Sequence, residues 1–292
     1  LWEVLEDSAN YSFNKSHSIS YASLAAITTF LKFKYPKEFF LALLKMTRFE
    51  PDPIAEIAKV SRELPKFDIK LLSPNLLKSE MDFSIEGNNL RFGLTSIKGI
   101  SDKSIQKLEN FKNKYSTKFE VFQGASEAGI GVGILSALIQ AGALEGEFTL
   151  SRSYIVAEAQ LWNLLTPREK TFAFELAEEK KCDLMEIVKH LNQTLKDKNG
   201  KPVIKDSRIE TIRRNFAPYK QIYDKNRTNE DFANWYYENA LLGYTHGKAL
   251  RQVSSEYSHL ESVEEALSKD ENSRVNFIAT VEDTYSAKSR KG

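Results

Sequence analysis

Cysteine is almost absent from this 292-residue chain. Cys182 stands alone, which excludes an internal disulfide and a cysteine-built zinc site and suits a reducing compartment such as the cytoplasm. The histidines His17, His190, His246 and His259 are scattered without ligand spacing, so no metal centre is expected among them. Long apolar runs are missing too, and no stretch approaches the ~20 residues a membrane helix needs. Neither charge predominates: 41 Lys and Arg against 40 Asp and Glu leave a net charge of +1. Any phosphate binding must therefore come from local patches and not from the overall field. The chain opens on Leu1 without a signal-peptide pattern and ends on Lys291-Gly292 in mid-pattern, so it is expected to be an excised piece.

The hydrophobic fraction of 41% and charged fraction of 28% are those of a soluble globular protein, and the length predicts two or three domains. From Ser20 to Lys45, Leu24, Ile27, Phe30, Leu31, Phe39, Phe40 and Leu43 recur at helical spacing, interrupted at Tyr35-Pro36. Another helix is predicted after Pro51 and Pro53, stopping at Pro65. At Phe67 the pattern changes. Asp68–Leu72 reads as a short strand, and the runs Met81–Ile85 and Leu90–Leu94 flank Gly87-Asn88-Asn89 as in a hairpin. Helical segments are expected around Ile97–Leu108 and Gly129–Leu144, and a capped helix at Thr166-Pro167-Arg168-Glu169. Val275, Phe277, Ala279 and Val281 alternate with polar residues as in a half-buried strand. The fold class is mainly α with a small β-hairpin.

Two segments carry chemistry. In Tyr11-Ser12-Phe13-Asn14-Lys15-Ser16-His17-Ser18-Ile19-Ser20-Tyr21-Ala22, polar and cationic groups lie between aromatic anchors just before a helix that Ser16 or Ser18 is expected to cap. A lysine, a histidine donor and helix-terminal amides fit a phosphate cradle; the same residues also fit a plain capped, solvated turn. In Gly93–Ser104, the run Lys98-Gly99-Ile100-Ser101 with Lys103 reads as the hairpin of a helix-hairpin-helix, where glycine lets the backbone approach a phosphate. Ser101 stands where such turns commonly carry a second glycine. Gly129-Ile130-Gly131-Val132-Gly133 lacks the preceding strand and the Lys-Ser/Thr pair of a nucleotide-binding loop and is not assigned as one. The basic run Lys196–Arg227 is diluted by Asp197, Asp206, Glu210 and Asp224 and reads as a solvated face.

The first segment, continued by Leu24, Thr29, Leu31-Lys32 and Tyr35-Pro36-Lys37-Glu38-Phe39, resembles the fingers of C-family replicative DNA polymerases, with their Tyr-x-Phe-Asn-Lys-Ser-His-x-x-x-Tyr-Ala pattern. Gly93-Leu94-Thr95-Ser96-Ile97-Lys98-Gly99, the stretch Leu138-Ile139-Gln140-Ala141-Gly142-Ala143-Leu144 and Glu238–Gly243 are similar to further parts of that family. In place of its usual His-Pro-Leu stands His246-Gly247-Lys248, which makes His246 an expected exposed linker residue. The resemblance implies fingers over 1–66, a small β-hairpin with tandem helix-hairpin-helix over 67–155, a helical insertion over 156–244, a linker over 245–272 and the first strand of a truncated OB-fold over 273–292. It implies a nucleotide neighbourhood of Asn14, Lys15, Ser16, His17 and Tyr21, and DNA contacts at Lys98, Gly99, Ile100, Ser101 and Lys103.

It further implies a DNA-directed DNA polymerase as the full-length protein, acting in the cytoplasm on primer-template DNA and deoxynucleoside triphosphates. Sliding-clamp and other replisome subunits are expected partners, and no membrane is. Such synthesis uses closely placed carboxylates holding two Mg2+ ions. No Asp-x-Asp pair occurs in the chain, so catalytic residues and metal are expected outside it and the isolated piece is expected to be inactive. The competing reading is a free-standing helix-hairpin-helix DNA-binding accessory protein of repair or replication.

Overall fold

The computed structural model describes residue 2 and residues 15–144, 151–193, 196, 198–246, 250–254, 259–261 and 263–279. It is mainly helical, with one small sheet. Helix α1 spans Lys15–Lys34 and buries none of its residues. Ser16 and Ser18 lie within it and do not cap it, because the backbone is already helical at Lys15; the Ser20 hydroxyl donates to the Ser16 carbonyl one turn back. Pro36, which lacks an amide proton and so fits a first turn, opens α2, Pro36–Met46, which buries Phe40 and Leu44. A 3-10 turn, Thr47–Phe49, leads to α3, Pro53–Glu63, where the Asp52 side chain accepts from the Ala55 amide at 3.1 Å.

Three short strands follow, β1 (Leu71–Leu72), β2 (Ser84–Glu86) and β3 (Asn89–Arg91), in the order β1-β3-β2. The hairpin β2–β3 is antiparallel with Ile85 opposite Leu90, and β1 joins β3 in parallel with Leu71 opposite Leu90. Gly87 supplies the turn with φ +62°, a conformation open to glycine. Arg91 is buried but satisfied, donating to Glu86 across the hairpin and to the Ser73 carbonyl. Gly93 leaves the sheet where a Cβ would collide with the Asp82 backbone, so the chain there is seated tightly on the segment that leads into β2.

The expected segment Ile97–Leu108 is helical only at its end. A 3-10 turn at Leu94–Ser96, a non-helical turn and a second 3-10 turn at Asp102–Ser104 precede α4, Ile105–Phe111, because Gly99 takes φ +89° and interrupts the helix. Next come α5 (Lys118–Glu127), which the hydrophobic pattern had not suggested, and α6 (Val132–Gln140). Helices α7 (Arg152–Asn163), α8 (Pro167–Lys180), α9 (Leu184–Gln193), α10 (Asp206–Asn226) and α11 (Glu230–Leu242) complete the main body. Short helices α12, Leu250–Val253, and α13, Val263–Leu267, lie beyond it. Helix α6 packs on α7, α10 on α7, and α11 on both α3 and α6. One continuous cluster of buried side chains runs from Phe40 to Leu242, crossing positions 66 and 155.

From Asp206 onward the basic stretch is an amphipathic helix. Ile209, Ile212 and Phe216 of α10 are buried, while Arg213 pairs with Glu210 and Lys220 with Asp224 on the outside. The alternating run near the end does not form a half-buried strand in its described part. Phe277 makes a single parallel bridge to Glu261 and stays exposed, since no sheet adjoins it among the described residues. Val281 and the Lys288–Lys291 turn lie outside the described residues. Among the described residues no helix is long and apolar enough to cross a membrane.

Candidate nucleic-acid interface

The turn at Ile97–Ser101 is built from the backbone upward. The Ile100 amide donates to the Ile97 carbonyl at 3.0 Å, closing a four-residue turn whose third residue, Gly99, has positive φ. Ile97 and Ile100 point into the core and are almost fully buried, so the intervening Lys98 and Gly99 are held outward. A Cβ built on Gly99 would meet nothing within 4 Å, so the peptide faces open space. The Lys98 amide is not free for a ligand: it donates to the Leu241 carbonyl at the end of α11 at 3.0 Å. The amides of Gly99, Ser101, Asp102 and Lys103 make no hydrogen bond among the described residues. They open the 3-10 turn into α4, where Ser101 gives no side-chain cap. Exposed Lys98 and Lys103 flank these donors.

A second glycine turn lies between α5 and α6. Gly129 (φ +71°) ends α5, with the Ile130 amide returning to the Ala125 carbonyl at 2.8 Å, and Ile130 is buried as Ile100 is. Gly131 then stands at the start of α6 without a capping side chain, leaving the first amides of that helix for an outside acceptor. Sequence reasoning placed the second element in the helix Leu135–Leu144 and passed over this turn. The signal was there, because Gly129-Ile130-Gly131 repeats the glycine–apolar–small pattern of Gly99-Ile100-Ser101. The Lys107 side chain from α4 lies beside Gly129, so one cation stands between the two turns.

The other expected site falls on α1. Lys15, Ser16, His17 and Tyr21 lie on its first two turns, and Asn14 lies outside the described residues. His17 and Tyr21, one turn apart, meet edge to face with ring centroids 4.5 Å apart. Helix α1 packs along α2, on α3 through Lys32 to Glu63, and with the Phe33 ring against Phe67.

His246 is half-buried and not an exposed linker residue. Its amide donates to the Glu238 carboxylate at 3.0 Å and its ring meets Tyr244 edge-on, while Tyr244 stacks on Phe92. Burial, followed by the nearby Glu238 charge, raises the Tyr244 hydroxyl well above its ordinary pKa. For Mg2+, no three His, Cys, Asp or Glu side chains converge among the described residues, so these residues do not fit the metal and no chemical step is assigned to it here.

A family model described as "Helix-hairpin-helix motif" matches residues 68–154, the segment holding both turns. Half of the chain is similar to part of the DNA polymerase III subunit alpha of Aquifex aeolicus (strain VF5), 33% identical over 153 residues, which is 12% of that protein. The DNA polymerase III subunit alpha of Deinococcus radiodurans is 36% identical over 114 residues, 39% of this chain and 8% of that one. That of Thermus aquaticus is 31% identical over 148 residues, again 12% of its length. The chain thus spans about an eighth or less of the relatives it matches, and its likeness to C-family polymerases stands on sequence similarity as well as on its motifs.

Proposed function

We propose that this chain is a DNA-gripping part of a DNA-directed DNA polymerase of the DNA polymerase III alpha type, serving DNA replication. The observation that carries it is the Ile97–Ser101 turn: unbonded amides and two flanking lysines on an outward-facing backbone, inside the segment that matches the helix-hairpin-helix family model. Such a turn suits a phosphate. Its amides donate to phosphate oxygens, Gly99 adds no side chain in the way, and Lys98 and Lys103 contribute charge without reading bases. The grip is indifferent to sequence, as an enzyme that moves along DNA requires. A second phosphate on the same strand would meet the start of α6, with Lys107 between the two.

In this reading residues 1–66 belong to the fingers, and Lys15, Ser16, His17 and Tyr21, with Asn14, lie near the incoming nucleotide. Residues 67–155 form the tandem helix-hairpin-helix, 156–244 a helical insertion, 245–272 a linker and 273–292 the start of an OB-fold. Synthesis itself would use carboxylates and Mg2+ elsewhere in a longer polypeptide. Primer-template DNA and deoxynucleoside triphosphates are then its substrates, a sliding clamp and other replisome subunits its partners, and the cytoplasm its place. The test is two assays on this chain. Salt-sensitive duplex binding without primer extension is the expected result; robust metal-dependent extension, or no duplex binding at low salt, overturns the reading.

A further inference from the structure

The outward turn at Lys98–Ser101 forms one wall of a groove of about 780 Å³ whose opposite wall is the Thr47–Phe49 turn and the start of α3. Phe49 stands at its edge, 69% exposed despite being fully apolar, and the Arg48 guanidinium lies 5.1 Å from its ring centroid. An aromatic ring displayed beside a cation is the usual form of a base-stacking platform. The groove's charge argues the same way. Lys45, Arg48 and Lys98 are matched by Asp52, Asp82 and Asp102, three of each sign, while Phe49, Pro51, Pro53 and Ile54 give the lining its apolar surface. Arg48 itself sits 3.9 Å from both Asp82 and Asp102.

A balanced, partly apolar groove repels no neutral ligand but offers little to a phosphate, whose place is the unbonded amides at its rim. The ligand that satisfies both parts is one nucleotide outside the double helix. Its phosphate meets Gly99–Lys103 and its base lies on Phe49, with exocyclic amino groups reaching Asp82 or Asp102 and carbonyl oxygens reaching Arg48. We infer that this groove receives an unpaired nucleobase of the DNA whose backbone the turn holds, with Phe49 as the stacking residue. The inference rests on the functional reading above and adds a specificity to it: preference for DNA carrying an unpaired base over a continuous duplex.

The test uses this chain with two hairpin duplexes, one fully paired and one carrying a single unpaired 2-aminopurine. The unpaired duplex should bind more tightly, and its 2-aminopurine emission should be quenched on binding. Phe49→Ala should weaken binding of the unpaired duplex about tenfold, the effect of one stacked base, and abolish the quenching. Its binding of the paired duplex should stay within about twofold, and Phe49→Trp should restore the preference. Lys98→Ala/Lys103→Ala should weaken both duplexes together. Equal effects of Phe49→Ala on the two DNAs, or unchanged quenching, overturn the groove assignment while leaving the phosphate grip intact. Absence of binding to either duplex overturns both.

Discussion

The Lys98 amide donates to the Leu241 carbonyl at 3.0 Å, so the Ile97–Ser101 turn is fastened to the last turn of a helix far along the chain. That helix is fixed in turn by Gly243, which ends it with φ +78° and passes so close to α3 that a Cβ would collide with the Ile54 carbonyl oxygen. Turn, α11 and α3 form one mechanical unit.

Gly243→Ala should therefore damage both stability and binding. A left-handed alanine costs about 1–2 kcal/mol, and relieving the collision must move α11 off α3, so a total loss of about 2 kcal/mol or more is expected. Urea unfolding measures the first effect. If the Leu241 link positions the turn, duplex affinity falls even under conditions where the variant is fully folded; unchanged affinity would show that the turn stands without it.

Lys98→Ala and Lys103→Ala should each remove one ion-releasing contact. Both side chains are exposed and outside the core, so folding should be unaffected. The slope of log K against log salt should become shallower by about one for each lysine removed. An unaltered slope in the double variant would place the duplex elsewhere on the surface.

What could be read in the sequence was what is settled within a few residues. Thr166, Pro167 and Glu169 specify a helix start by local chemistry, and the structure has the full reciprocal cap there. Gly87 marked the hairpin and Pro36 the break between α1 and α2 for the same reason. Helix α5 was missed although Thr117 and Glu120 form another such cap, because its buried Phe119, Val121, Phe122 and Ala125 do not stand out as one stripe. Of the candidate interface, the Lys98–Ser101 turn was legible from Gly99 and from Lys98 and Lys103 around it. The bond to Leu241 and the facing Arg48–Phe49 pair were not, since they depend on how distant segments pack. His246 shows the same limit: its half-burial comes from Tyr244 settling on Phe92, which no local pattern announces.

Arg208 grips Glu169 with two guanidinium nitrogens, both 3.0 Å from carboxylate oxygens, while Glu169 also caps α8. Burial alone would raise this carboxyl, but the Arg208 hydrogen bonds and the Thr166 amide outweigh it and hold the group below its ordinary value of 4.5. A depressed folded pKa adds stability above that value and loses it as the pH falls through the folded pKa. Glu169→Gln keeps a capping side chain but not the charge, so it should cost about 1–3 kcal/mol near neutrality. The gap from the parent should shrink in acid. Denaturant unfolding at several pH values checks this, and a pH-independent gap would assign the loss to altered hydrogen-bond geometry and not to the charge.

Lys118 and Glu158 form the opposite case, an ion pair sealed between α5 and α7 with both side chains nearly buried. Glu158 also accepts from the Leu184 amide at 2.7 Å and from the Tyr154 hydroxyl at 3.2 Å. Burial raises its pKa above the ordinary 4.5 in spite of these partners, with Lys118 the largest of the opposing influences. A raised folded pKa makes Glu158 favour folding below the unfolded value, a contribution lost as the pH climbs through the folded one. Lys118→Met removes the cation, lifts that pKa further and leaves a buried carboxylate that must either ionise alone or take up a proton. The expected loss is about 3 kcal/mol near neutrality, larger near pH 8 than near pH 5. Pairing Lys118→Met with Glu158→Gln should abolish the pH dependence of the loss, because the group whose protonation causes it is gone. If the single variant is equally weakened at both pH values, Lys118 contributes through its packing on the Phe119 and Tyr154 rings and not through its charge.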